Sequence, residues 1–129
     1  MKTRLILALL LAPLSLTACG GDDGPIDIPG GPGTVSLTLE SPNGPEGGVL
    51  VHLIGNGATN VTSAVGDLFT SVSGDTVKVL LLRQDPGELG FSFTLPDTTR
   101  RPGIQIQQVT GGDNQLRANL STYSMRGGQ

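Results

Sequence analysis

The stretch Ser73–Leu95, SGDTVKVLLLRQDPGELGFSFTL, carries two runs of strand-forming residues separated by a Pro-Gly turn. Ser73-Gly74-Asp75 supplies a tight turn into Thr76–Arg83 (TVKVLLLR), the most β-rich run in the chain. Its Leu80-Leu81-Leu82 predicts a central strand covered on both faces. Gln84–Gly87 (QDPG) follows as a turn whose Pro-Gly pair fits type II geometry. Glu88–Leu95 (ELGFSFTL) then alternates strictly, placing Leu89, Phe91, Phe93 and Leu95 on one face, which must be core.

The same period of two extends in both directions. Upstream, Val35, Leu37 and Leu39 alternate with Ser36, Thr38 and Glu40, a strand with one wet face. Ser41–Gly48 (SPNGPEGG) is a turn, Val49–Ile54 a strand apolar on both sides, and Gly55–Asn60 a break. Val61–Val65 and Leu68–Val72 are weaker strands. Downstream, Pro96–Gly103 is a polar loop, and Ile104, Ile106 and Val109 form a strand whose register slips at Gln107-Gln108, the mark of a bulge. Gly111–Gln115 turns the chain, and Leu116–Leu120 with Ser121–Met125 closes the domain. Seven to nine short strands with turn residues between them predict an all-β fold, a single antiparallel β-sandwich with helix content near nil. With 3 Phe, 1 Tyr and no Trp, its core rests on Val, Leu and Ile. The single cysteine lies outside this region, so an immunoglobulin-type disulfide is excluded.

The whole chain has 129 residues, with 20 Gly and 9 Pro, and 8 Lys plus Arg against 11 Asp plus Glu. That acidic balance gives no electrostatic reason to expect nucleic acid. Before the β region the sequence changes character twice. Met1–Arg4 carries Lys2 and Arg4, and Leu5–Leu16 follows as an apolar run broken only by Pro13 and Ser15. A run of about twelve residues makes a helix of ~18 Å, short of a ~30 Å hydrocarbon layer, so it reads as a signal-peptide core over residues 1–18. Gly20–Thr34 then holds six Gly, three Pro and Asp22, Asp23 and Asp27, and reads as a solvated tether with a typical span of about 20 Å. The domains are therefore 1–18 signal peptide, 19–34 tether and 35–129 sandwich.

At the junction, Leu16-Thr17-Ala18-Cys19 resembles the lipobox of bacterial lipoproteins. The resemblance implies cleavage between Ala18 and Cys19, a diacylglyceryl group on the Cys19 thiol, and a further acyl chain, commonly palmitate, on the new amino group. Two or more acyl chains hold a protein on a membrane stably, so Cys19 would suffice as the sole anchor. In that family an aspartate after the cysteine favours the inner membrane; here the position is Gly20, which implies the outer membrane of the cell envelope. Cleavage would leave 6 basic against 11 acidic side chains. A second resemblance runs from Gly47 to Leu95. The order Gly-Gly-Val-Leu-Val-His-Leu, Ser73–Val79, Pro86-Gly87-Glu88-Leu89 and Phe91-Ser92-Phe93 is similar to cohesin-like sandwich domains, in a shortened form found in small bacterial envelope lipoproteins. Cohesin-like domains bind a partner module and perform no chemistry; no partner-contacting motif carries over to this chain.

Catalysis finds little support. His52 is the only imidazole and shares a predicted strand face with Leu50 and Ile54. No Ser stands in a G-x-S-x-G context, and no phosphate loop occurs. Glu40, Glu46 and Glu88 fall at turns or strand ends, where surface glutamates belong. One His and no cysteine in the domain argue against a metal site, no cofactor is implied, and Arg100-Arg101 reads as solvation. The leading expectation is a non-enzymatic, lipid-anchored module that binds or scaffolds another protein through an exposed edge or face. The alternative is a carbohydrate-binding module, for which Tyr123 is the aromatic expected outside the core and hence the candidate ligand contact.

Overall fold

The computed structural model describes residues 30–128. Ala18, Cys19, the signal peptide and the tether up to residue 29 lie outside the described residues. Eight strands form: β1 (Gly33–Glu40), β2 (Glu46–Ile54), β3 (Thr59–Thr62), β4 (Asp67–Ser73), β5 (Thr76–Gly87), β6 (Gly90–Leu95), β7 (Gly103–Gly111) and β8 (Ser124–Gly128). They make two antiparallel four-stranded sheets, ordered β3-β6-β1-β8 and β4-β5-β2-β7, and no helix is present among the described residues. The expected antiparallel β-sandwich is thus the observed architecture. Only β4 and β5 are joined as a hairpin within one sheet; every other link crosses from sheet to sheet.

The alternation in the sequence becomes the core directly. Val35 and Leu37 of β1 stand opposite Phe93 and Phe91 of β6, and Val49, Val51 and Leu53 of β2 stand opposite Leu81, Val79 and Val77 of β5. All ten are buried, and Leu39, Leu89, Leu95 and Val109 complete the layer between the sheets. The Phe91 and Phe93 rings lie 6.1 Å apart and tilted by 38°, within the range of favourable aromatic pairing. The turn at Gly74 has φ 60° with Ser73 paired to Thr76, a two-residue hairpin of II′ type that needs glycine at its first position.

Three details depart from the sequence expectations. Leu80-Leu81-Leu82 is covered on one face only: Leu81 is in the core, Leu80 is half-buried, and Leu82 is exposed on the outer face. The Gln84–Gly87 turn is an excursion within β5. The ladder runs from Leu82 opposite Gly48 directly to Gly87 opposite Glu46, so Arg83–Pro86 bow out against Gly47 alone. Leu116–Leu120 is no strand: a single bridge, Thr110 to Leu116, is all it forms, and Leu116 is exposed. The slip in β7 is a bulge as expected, because Leu50 pairs with Gln108 while Val51 pairs with Ile106, leaving Gln107 extra.

The excursion and the bulge bring backbones into close approach at the start of β2. A Cβ on Gly47 would lie 2.6 Å from the Gly111 carbonyl oxygen, and one on Gly48 would lie 2.7 Å from Leu82 Cδ2. Backbone cannot swing aside as a side-chain tip can. Gly47→Ala is therefore expected to destabilise the domain by about 1–3 kcal/mol, while Gly44→Ala at a turn with open space around it costs its strain alone, about 1 kcal/mol. Urea denaturation of the two variants checks the order.

Candidate functional site

The sequence placed Glu46 among surface glutamates, but the structure buries it to 1% exposure. The reason is local. Ser41–Pro45 turns back between β1 and β2, with Asn43 N–H donating to Ser41 Oγ at 3.0 Å, and delivers Glu46 to the end of the sandwich rather than to its rim. The chain after β7 reverses at Gly111–Gln115, where Gly111 N–H donates to the Gln115 carbonyl at 3.0 Å, and Arg117 N–H donates to Val109 at 2.8 Å. That return carries the Arg117 guanidinium onto Glu46.

Both carboxylate oxygens are then fully engaged. Glu46 Oε1 accepts from Ser41 Oγ at 2.6 Å and from the Tyr123 hydroxyl at 2.7 Å, and Oε2 accepts from Arg117 Nε at 3.1 Å with Nη2 at 3.0 Å. The Asn43 side-chain amide donates to the Tyr123 oxygen at 2.7 Å. Tyr123 is 7% exposed, so the ring expected outside the core is packed within it, its hydroxyl committed to Glu46. It offers no face to a sugar. Burial alone would raise the Glu46 pKa; the hydrogen bonds from Ser41, Tyr123 and Arg117, with the Arg117 charge, outweigh it and hold the carboxyl below the ordinary glutamate range. A carboxylate so occupied has no lone pair left for a substrate, and its role is to clamp the β1–β2 turn, β2, the return after β7 and the approach to β8.

Glu40 and Glu88 are exposed as expected. His52 does share a face with Leu50 and Ile54, on β2 in the interior of its sheet. Among the described residues no three His, Cys, Asp or Glu side chains converge on one point.

The outer face of the β2 sheet is the feature the sequence did not single out. Register places Phe69, Leu80, Leu50 and Gln108 in one row across β4, β5, β2 and β7. At ~4.8 Å per strand that row is about 14 Å long. Phe69 is 57% exposed, and Leu82 at 39% lies one row over, filling the space above Gly48. On one side the neighbouring row is polar, with Ser71, Lys78, His52 and Gln105; on the other, Asp67 and Thr110 stand at the ends of the row that holds Leu82 and Gly48. Phe69 and Leu82 are thus exposed apolar side chains bordered by polar ones. The sequence signals for this face are the excess of Leu in Leu80-Leu81-Leu82 and the apolar residues on both sides of Val49–Ile54, which predict cover on both faces.

Comparisons with protein-family models, with curated proteins and with solved structures find no match to this chain.

The clamp makes two measurable demands. Arg117→Ala leaves the buried Glu46 carboxylate without its charged partner and should be clearly destabilising, with Tyr123→Phe, which removes one donor to the same carboxylate, costing roughly 1.5–3 kcal/mol. Glu46 titrates lower in the folded than in the unfolded state, so its stabilisation is complete above its ordinary value of 4.5 and fades as pH falls through the depressed folded value. Thermal melts of the Glu46→Gln variant should therefore show a shallower loss of stability below pH 4.5 than the parent chain. Equal slopes would show that Glu46 titrates alike in both states.

Proposed function

We propose that the chain is a non-enzymatic bacterial envelope lipoprotein, anchored through lipid on Cys19, whose sandwich presents the outer face of the β2 sheet to another protein. The observation that carries this reading is the Phe69-Leu80-Leu50 row with Leu82 beside it, an apolar strip on a sheet face that nothing in the described chain covers. The lipobox-like Leu16-Thr17-Ala18-Cys19 supports the anchor, and the Gly- and Pro-rich tether supports a domain held clear of the headgroups. Gly20 after the cysteine supports the outer membrane. The Gly47–Leu95 pattern supports a cohesin-like module, a class whose members bind a partner module without chemistry.

The carbohydrate reading passes from Tyr123 to Phe69, the one exposed aromatic ring among the described residues. Sugar platforms combine a ring with hydrogen-bonding side chains that meet the hydroxyls. Phe69 has Asp67 and Ser71 on the same face of β4, but its own row runs through Leu80 and Leu50. That setting favours an apolar protein surface.

Two experiments check the two halves of the reading separately. Cys19→Ser should release the protein from the membrane fraction; retention with unchanged lipid labelling would sink the anchor. A photo-crosslinker at Leu80, in the native envelope, should capture one discrete protein that the same probe at Thr34, on the outer face of the β1 sheet, does not. Glycan binding abolished by Phe69→Ala would replace the protein partner by a sugar.

A further inference from the structure

A β-sandwich of two open sheets has four edge strands, and here three of them carry devices that discourage pairing. β3 has four residues and pairs irregularly with β6, between Thr59 and Thr62. β7 is broken by the Gln107 bulge, and β8 is five residues long with Arg126 at its centre. β4 has none of these. Its seven residues, DLFTSVS, pair with β5 in unbroken register from Asp67 to Ser73, with no proline and with its one charge at the end. Its other edge has no partner among the described residues.

Both faces of β4 are also incompletely covered. Phe69 stands 57% exposed on the outer face. Val72 points with Leu68 and Thr70 toward the core side, because it pairs with the buried Val77, yet it is 72% exposed. Beside it a cleft of about 310 Å³ opens between Val72 and Val77 and the Gly55–Thr59 segment.

We propose that β4 pairs antiparallel with β4 of a second copy of this chain, about a two-fold axis at Thr70, joining the two β2 sheets into one eight-stranded sheet. The sequence of β4 is self-complementary in this register. Leu68 falls opposite the second copy's Val72, and Thr70 opposite Thr70, so the core side reads as aliphatic, Thr–Thr, aliphatic, with both Val72 side chains covered. Directly opposed pairs of these kinds stabilise antiparallel sheets. On the outer side Phe69 falls opposite Ser71, and the two Phe69 rings become diagonal neighbours ~7–8 Å apart, within aromatic reach. The two Asp67 side chains end about 20 Å apart, six residues at ~3.4 Å, so no like charges meet. A two-fold contact of this kind is closed and does not propagate into a fibre. The dimer forms by mass action, so its population rises with concentration.

The pairing uses the edge of the β2 sheet, goes beyond the proposed partner-binding face, and stands whether or not Cys19 carries lipid. The test uses the full chain with Cys19→Ser, so that each introduced thiol stands alone. Thr70→Cys, Thr62→Cys and Gln105→Cys then probe β4, β3 and β7 in turn. Directly opposed residues of a strand pair lie within disulfide range, so mild oxidation of the concentrated protein should link Thr70→Cys into a dimer and leave the other two monomeric. Adding Val72→Lys should abolish the dimer band. Should circular dichroism show that variant unfolded, Phe69→Glu on the exposed outer face serves as the second disruptor. Equal linking at all three positions, or a Thr70→Cys chain that stays monomeric, overturns the pairing. The Leu80 crosslink in the envelope reads the partner face independently of either result.

Discussion

The end of this sandwich depends on one buried carboxylate. Glu46 enters β2 where three stretches of chain would otherwise have no reason to meet: the Ser41–Pro45 turn, the Arg117 return and the segment leading to Tyr123. A charge withdrawn from water is costly unless its partners are complete, and here four donors on two oxygens complete them. No side-chain polar atom is left buried and unbonded among the described residues. The hydrophobic layer supplies most of the driving force, but it is non-directional. The carboxylate fixes which segments close the end, and so fixes where β8 begins.

What could be read from the sequence follows from range. Alternation is a local property, so the core positions of β1 and β6, the tight turn at Gly74 and the β7 slip at Gln107-Gln108 were all visible in a few residues. The Glu46 cluster was invisible for the opposite reason. Arg117 and Tyr123 lie 71 and 77 positions from Glu46, and nothing near Glu46 in the chain distinguishes it from Glu40 or Glu88. The Tyr123 expectation failed with it, because a tyrosine hydroxyl with a buried acceptor is a core residue, and the acceptor was not legible. The Leu80-Leu81-Leu82 run shows a third kind of limit. A continuous apolar strand predicts cover on both faces, but composition does not say whether the cover belongs to the same chain.

That ambiguity bears on function. In the β2 sheet, β2 and β5 commit one face to the core and carry Leu50, Leu80 and Leu82 on the other. The row of Ser71, Lys78, His52 and Gln105 on one side, and Asp67 and Thr110 at the ends of the Leu82 row on the other, border the apolar strip. The β1 sheet differs: its outward positions on β1 include Thr34, Ser36 and Thr38, and Ser36 and Ser92 bond across strands at 2.8 Å. The outer face of the β1 sheet is polar at these positions, where the β2 sheet carries Phe69, Leu80 and Leu82.

The chain order of the two sheets has a consequence in time. β1, near the start of the described chain, takes one of its two neighbours from β8, so that Ser36 waits for Gly128. As a polypeptide emerges from its N-terminus, the β4–β5 hairpin is the one sheet contact that adjacent strands can make at once, and all others demand the closure of long loops. The β2 sheet can be complete once β7 has emerged, whereas the β1 sheet stays one strand short until β8 follows. The two layers of the sandwich therefore close in sequence, the sheet that begins the described chain being the last to be finished.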